Sequence, residues 1–181
     1  MPSSNTQNKP GMQQKKKTFG KNTRRHILFL HVLFTALWIG AGLSMQLVMF
    51  LKNPQNISEV FAFNMSVKII DDFIIIASGM GTFLTGLLLS WKTHWGFFKH
   101  WWIAIKLILT VLVIVTGIIF LGPWTNATVS LVETIGIGVR ENAEYIHTQF
   151  MVKTVGMIQF MIIVFMLYLS VIKPFGKLAG R

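Results

Sequence analysis

The chain contains no cysteine. Disulfides, thiol nucleophiles and thiolate-held metals or clusters are therefore excluded. Charge is also scarce: 13% of the 181 residues are Asp, Glu, Lys or Arg, about half of the roughly 25% usual in a soluble domain. Acids are the rarest of these. There are six, Glu59, Asp71, Asp72, Glu133, Glu141 and Glu144. Proline is absent from four long apolar runs, and Pro123 and Pro174 fall just past the third and fourth, where helix terminators belong.

What is present is apolar and basic. Hydrophobic residues make up 52%, mean hydropathy is +0.57 and the formal net charge is +11. In a soluble protein that charge would suggest nucleic acid. Here no nucleic-acid motif accompanies it, and most of it flanks apolar runs, where it sets orientation and touches anionic lipid. No nucleic-acid partner is expected.

The sequence predicts an all-α polytopic membrane protein, a single four-helix bundle. Its membrane domain covers 26–173, with spans about 27–51, 72–91, 100–121 and 149–172. Each approaches the ~20 residues needed to cross about 30 Å of hydrocarbon. Residues 1–25 read as a disordered basic tail, with Lys15, Lys16 and Lys17 placed to touch lipid, and 174–181 as a short second tail. The first run is too long for a signal peptide, and no small-x-small cleavage site follows it. Both termini and the loop with Lys92 and Lys99 are rich in positive charge, while the other two loops hold all six acids. The positive-inside rule then puts both termini in the cytoplasm. The chain looks bacterial, which makes the expected location the plasma (inner) membrane. Segment 122–149 is the longest connection, expected to carry a short helix lying on the outer surface.

The first span, HILFLHVLFTALWIGAGLSMQLVMFL, carries His31 inside its apolar run. An ionisable residue at membrane depth is a functional-site candidate, because its burial in lipid costs energy. Steps of three and four from it give Thr35, Trp38, Gly42 and then Met45/Gln46, a polar, small and aromatic stripe suited to face other helices or a ligand. In the third span Lys106 heads a similar stripe with Trp102, Thr110, Val113 and Gly117. At 1.5 Å per residue, His31 and Lys106 share a depth of roughly 7–10 Å from the cytoplasmic face. Imidazole can ligate haem iron or copper, and an ammonium can pair with a propionate or a quinone oxygen. His31, Lys106, Trp38 and Trp102 are thus the candidate haem or porphyrin site, with His31 as the axial metal ligand. The plainer alternative is that Lys106 snorkels to the headgroups and His31 bonds a neighbouring helix.

Span two is rich in small residues: Ser78, Gly79, Gly81, Thr82, Thr85 and Gly86. They suit close helix packing, or room for a flat cofactor beside His31. Gln159 in span four, and Gln46 in span one, are expected to hydrogen-bond other helices. An outer set, Lys68, Asp71, Asp72, Glu144, His147 and Lys153, reads as solvated loop charges, with a metal entry site on His147, Asp71 and Asp72 as the alternative.

The segment His31-Val-Leu-Phe-Thr-Ala-Leu-Trp38-Ile-Gly40-Ala-Gly42 resembles the first helix of copper-resistance D-type membrane domains. It also resembles a family of uncharacterised bacterial four-helix integral membrane proteins. Thr85-Gly86-Leu-Leu and Trp102-Ile-Ala-Ile-Lys106-Leu continue the likeness. In outline the chain is similar to bacterial membrane protoporphyrinogen oxidase of the HemJ type, in which a first-span histidine and a third-span lysine are functional. That resemblance implies roles for His31 and Lys106. The residues and the resemblances together leave three expectations: a haem b or porphyrin-binding redox protein; a non-catalytic membrane subunit or assembly factor with a membrane-protein partner or a second copy, in which the small-residue stripes serve helix–helix contact; and a copper or small-ion permease.

Overall fold

A computed structural model describes residues 19–92 and 100–174. Most of the expected basic leader, most of the loop between spans two and three, and the C-terminal tail lie outside the described residues. Among those described, every regular element is helical. Four continuous helices are long and apolar enough to cross a membrane: Lys21–Leu51, Ile57–Lys92, Trp101–Glu141 and Ala143–Ile172. Large apolar side chains such as Phe29, Phe73, Ile118 and Val171 cover the outside, a surface suited to lipid tails rather than water.

Helix α1 is Lys21–Leu51 and ends as the chain turns extended at Lys52, two residues before Pro54. Asn56 then caps the next helix. Its side chain accepts from Glu59 N–H at 2.9 Å, while the Glu59 carboxylate accepts from Gln55 N–H at 2.7 Å. This is a capping box shifted by one residue. The second long helix is α2 (Ile57–Ile69), a π-helical stretch Ile70–Ile75, and α3 (Ile76–Lys92). The third is α4 (Trp101–Thr116), a π-helical stretch Gly117–Leu121, and α5 (Gly122–Ile135), closed by Gly136 at φ +67°. A 3₁₀ turn, Gly136–Glu141, leads into α6 (Ala143–Ile172). Asn142 caps α6 by accepting from Tyr145 N–H at 3.0 Å.

Two expectations are corrected here. Segment 122–149 is not a loop with a surface helix: α5 continues the third span, and α6 begins at Ala143. Nor does Pro123 end a helix; it sits at the start of α5, directly after the π-helical stretch. Proline breaks an α-helix because it has no N–H for the i−4 bond and its ring crowds that carbonyl. Where the ladder has already shifted to i→i+5, both objections weaken.

The second helix has 36 residues, about 54 Å of rise, well beyond about 30 Å of hydrocarbon. Its excess, α2, packs on α5 and the first turns of α6 to form a helical head. The head has its own core of Val60, Val132, Val139 and Tyr145. Within it, Asn64 donates to Tyr145 Oη at 2.9 Å and to the Val60 carbonyl at 2.8 Å, and Gln149 donates to Asn64 Oδ1. Tyr145 and Asn64 thus bury polar atoms only because each is partnered.

In the bundle, α1 lies between α3 and α6, and α4 packs on α6 while touching α3 sparsely. Helices α1 and α4 are therefore diagonal. The α1–α3 seam explains the small residues of span two. A Cβ on Gly79 would lie 3.3 Å from the Trp38 ring, one on Gly81 2.5 Å from Phe34, and one on Gly86 3.2 Å from His31. Three rings of α1 fit three glycine notches of α3. The packing role expected for these residues is what the structure shows, and α1's own side chains fill the notches.

Candidate functional site

The structure separates two places in the bundle: the end where α1 begins and α6 finishes, and the level of the two π-helical stretches.

At the first, His31 is half-buried against α3. Its Nδ1 lies 3.1 Å from the Thr82 carbonyl and 2.9 Å from Thr85 Oγ1. The Thr85 hydroxyl is itself directed at the Gly81 carbonyl, at 2.6 Å. A carbonyl cannot donate, and the Thr85 proton is already engaged. The proton in these bonds must therefore sit on Nδ1. In the neutral ring that leaves Nε2 with its lone pair. A ring held through N–H to a backbone carbonyl, with the other nitrogen basic, is the arrangement that orients a metal-ligating histidine. It is equally what a packing histidine needs to satisfy its donor.

Lys106 comes from the diagonal helix. Its Nζ donates to Ser170 Oγ on α6 at 2.5 Å, and Ser170 donates to the Met166 carbonyl at 2.9 Å. Lys106 is near enough for its charge to act on the His31 imidazole. It is tied inside the bundle by Ser170, which the sequence did not single out as a partner for it. The six acids all lie between residues 59 and 144. They sit in the head, the π-helical stretch after α2 and the first turn of α6. No acidic side chain of the protein stands beside His31 and Lys106.

The two tryptophans fall differently. Trp38 is 4% exposed, packs in the Gly79 notch and joins a core with Val113, Ile163 and Met166. Trp102 is half-buried in the first turn of α4, tilted against His100 at 6.1 Å between centroids. The donor chemistry for haem is present in His31 Nε2 and Lys106, while the glycine notches offer no free slot for a flat ring.

The second place was not legible from the sequence. A cavity of about 410 Å³ opens among all four long helices. Trp38 and Gln46 line it from α1. Asp71 and Ile75 line it from the first π-helical stretch, and Gly117 and Leu121 from the second. π-Bulges re-aim side chains and recur at functional sites, and here both face one space. Gln159 meets its expectation: it donates to Thr116 Oγ1 of α4 at 2.6 Å. Gln46 does not. Gly156 leaves room for its amide, yet Gln46 Oε1 is buried with no hydrogen-bond partner.

No family model, curated protein or solved structure matches this chain.

Of the outer charges, Lys68 pairs with Asp72 at 2.6 Å and also donates to Asn126 at 2.5 Å. Asp71 is not the loop residue expected: it is 8% exposed within a continuous helix. Among the described residues no group of three or more His, Asp or Glu side chains is placed to hold a metal ion. His147 is exposed on α6.

Proposed function

We propose that this is a multi-pass plasma-membrane protein, with both termini in the cytoplasm, that binds an acidic amphiphile in the inner half of its bundle. Haem b or a porphyrin is the leading ligand class. One observation carries the reading: two basic side chains, His31 on α1 and Lys106 on the diagonal α4, are near enough for the charge of one to act on the other, and no acidic side chain stands beside them. An ammonium half-buried between apolar helices is costly without a counter-charge, and one serine hydroxyl does not supply it. An anionic ligand does.

His31 would offer Nε2, held in place through Nδ1 by Thr82 and Thr85. Lys106 would offer its ammonium to a carboxylate, steadied by Ser170. A haem in that position would supply a one-electron redox centre.

Purification in mild detergent after haem-replete expression tests this. A Soret band is expected, lost in His31→Ala and retained in His147→Ala. A colourless wild-type protein overturns the haem assignment. A band lost equally in both variants overturns the placement at His31.

A further inference from the structure

The cavity at the π-helical level has a chemistry opposite to that of the His31–Lys106 end. Its walls are largely apolar: Ile75, Ile114, Leu121, Phe160 and Ile163 with Trp38. Its charged lining groups are Asp71 and Asp72. Asp72 is answered by Lys68 at 2.6 Å, and Lys68 is further engaged by Asn126. Asp71 has no ion pair or hydrogen bond among the described residues and is 8% exposed. The space thus holds one carboxylate in excess of its cations. Independently, Gln46 is 5% exposed, lines the same space and presents an amide oxygen with no partner. Buried acceptors are left unpaired rarely, since each costs its desolvation. Gln46 Oε1 is such an orphan, and the Asp71 carboxylate on the same lining is a second acceptor with no hydrogen bond among the described residues.

Size and wall chemistry narrow what that donor belongs to. About 410 Å³ falls within the range of small-molecule pockets, roughly 300–1,000 Å³. A bare metal ion would want about six converging oxygens and no apolar wall. The rim residues Ile76, Met80 and Ile118 are exposed, so the mouth opens on the apolar flank on the side of α3 and α4, which touch sparsely. We infer that this cavity is a binding site for a lipophilic organic ammonium that enters from the lipid. Its N–H groups would donate to Asp71 and Gln46 Oε1, and its apolar body would lie against Trp38 and the isoleucines. The site is separate from the inner-half site, and neither reading depends on the other.

The test compares two probes of equal shape, 4-phenylbutylamine (cationic at neutral pH) and neutral 4-phenylbutanol. Calorimetric titration into the full chain in zwitterionic nanodiscs is the measurement. The amine should bind the wild type about tenfold or more tightly than the alcohol. Asp71→Asn should abolish that preference, and Gln46→Leu should reduce it. Met80→Trp, a change at the exposed rim, should weaken both probes while thermal unfolding stays unchanged, which covers the case in which Asp71→Asn fails to fold. Equal binding of amine and alcohol, or an amine preference surviving Asp71→Asn, overturns the proposal. So does full displacement of the amine by sodium or potassium at matched ionic strength, which would mean a bare-cation site.

Discussion

Phe34 lies on the backbone of Gly81, so close that a Cβ there would fall 2.5 Å from the ring. The two residues come from α1 and α3, and their contact is the tightest of the three ring-in-notch contacts that fix the α1–α3 seam. In a bilayer, lipid would give helices no hydrophobic drive to associate, and close packing of this kind would hold them.

Gly81→Ala should therefore destabilise the protein by about 1–3 kcal/mol, the usual effect of overpacking. Phe34→Leu in the same chain should recover part of the loss. Gly40→Ala is the control, because nothing lies within 4 Å of a Cβ there. It should be neutral or stabilising, by up to about 1 kcal/mol from helix propensity. Thermal unfolding in detergent separates the cases; equal loss from both alanines would deny the seam its role.

Thr85→Val removes one acceptor from His31 Nδ1 and leaves the Thr82 carbonyl. The cost to folding should be modest, about 1 kcal/mol. Its larger effect should fall on ligand affinity at His31, since a ring anchored by one bond is less well oriented. Affinity reduced by about tenfold with little change in unfolding temperature is the expected result. An unchanged affinity would show that Thr85 serves packing alone.

Tyr145→Phe leaves buried Asn64 Nδ2 with only the Val60 carbonyl and deprives Gln149 of an acceptor at 3.2 Å. The head should loosen by about 1–3 kcal/mol, and loosen locally. Hydrogen exchange should rise in α2 and α5 and stay low through α3 and α4. Uniform acceleration along both long helices would mean that head and bundle unfold as one unit.

Four spans were legible because lipid imposes a blunt requirement, about 20 apolar residues in a row. The interior-facing stripes were legible for a related reason, as small and polar residues stand out against Leu, Ile and Phe. The head was not. Helices α2 and α5 mix Asn64, Ser66, Thr125 and Thr128 with valines, a pattern shared by amphipathic surface helices and ordinary loops. Pro123 and the Asp71-Asp72 pair looked like boundaries, and both lie within or beside continuous helix. A π-helical stretch adds one residue per turn and leaves no fixed signature in hydropathy. The cavity was therefore invisible, although its two acceptors, Gln46 and Asp71, were already notable as polar residues in or next to apolar runs. His31 and Lys106 were singled out by their matched depth, but Ser170, which ties Lys106, was seen only as a stripe residue.

The head joins spans two and three with no flexible linker between, since α2 runs through its π-helical stretch into α3 and α5 likewise continues α4. Such rods act as levers. A splay of α3 from α4 at the cavity mouth has no loop to absorb it before the head, so it is taken up at the π-helical stretches or tilts α2 and α5. A spectroscopic distance between labels on α2 and α5 would then report movement within the bundle.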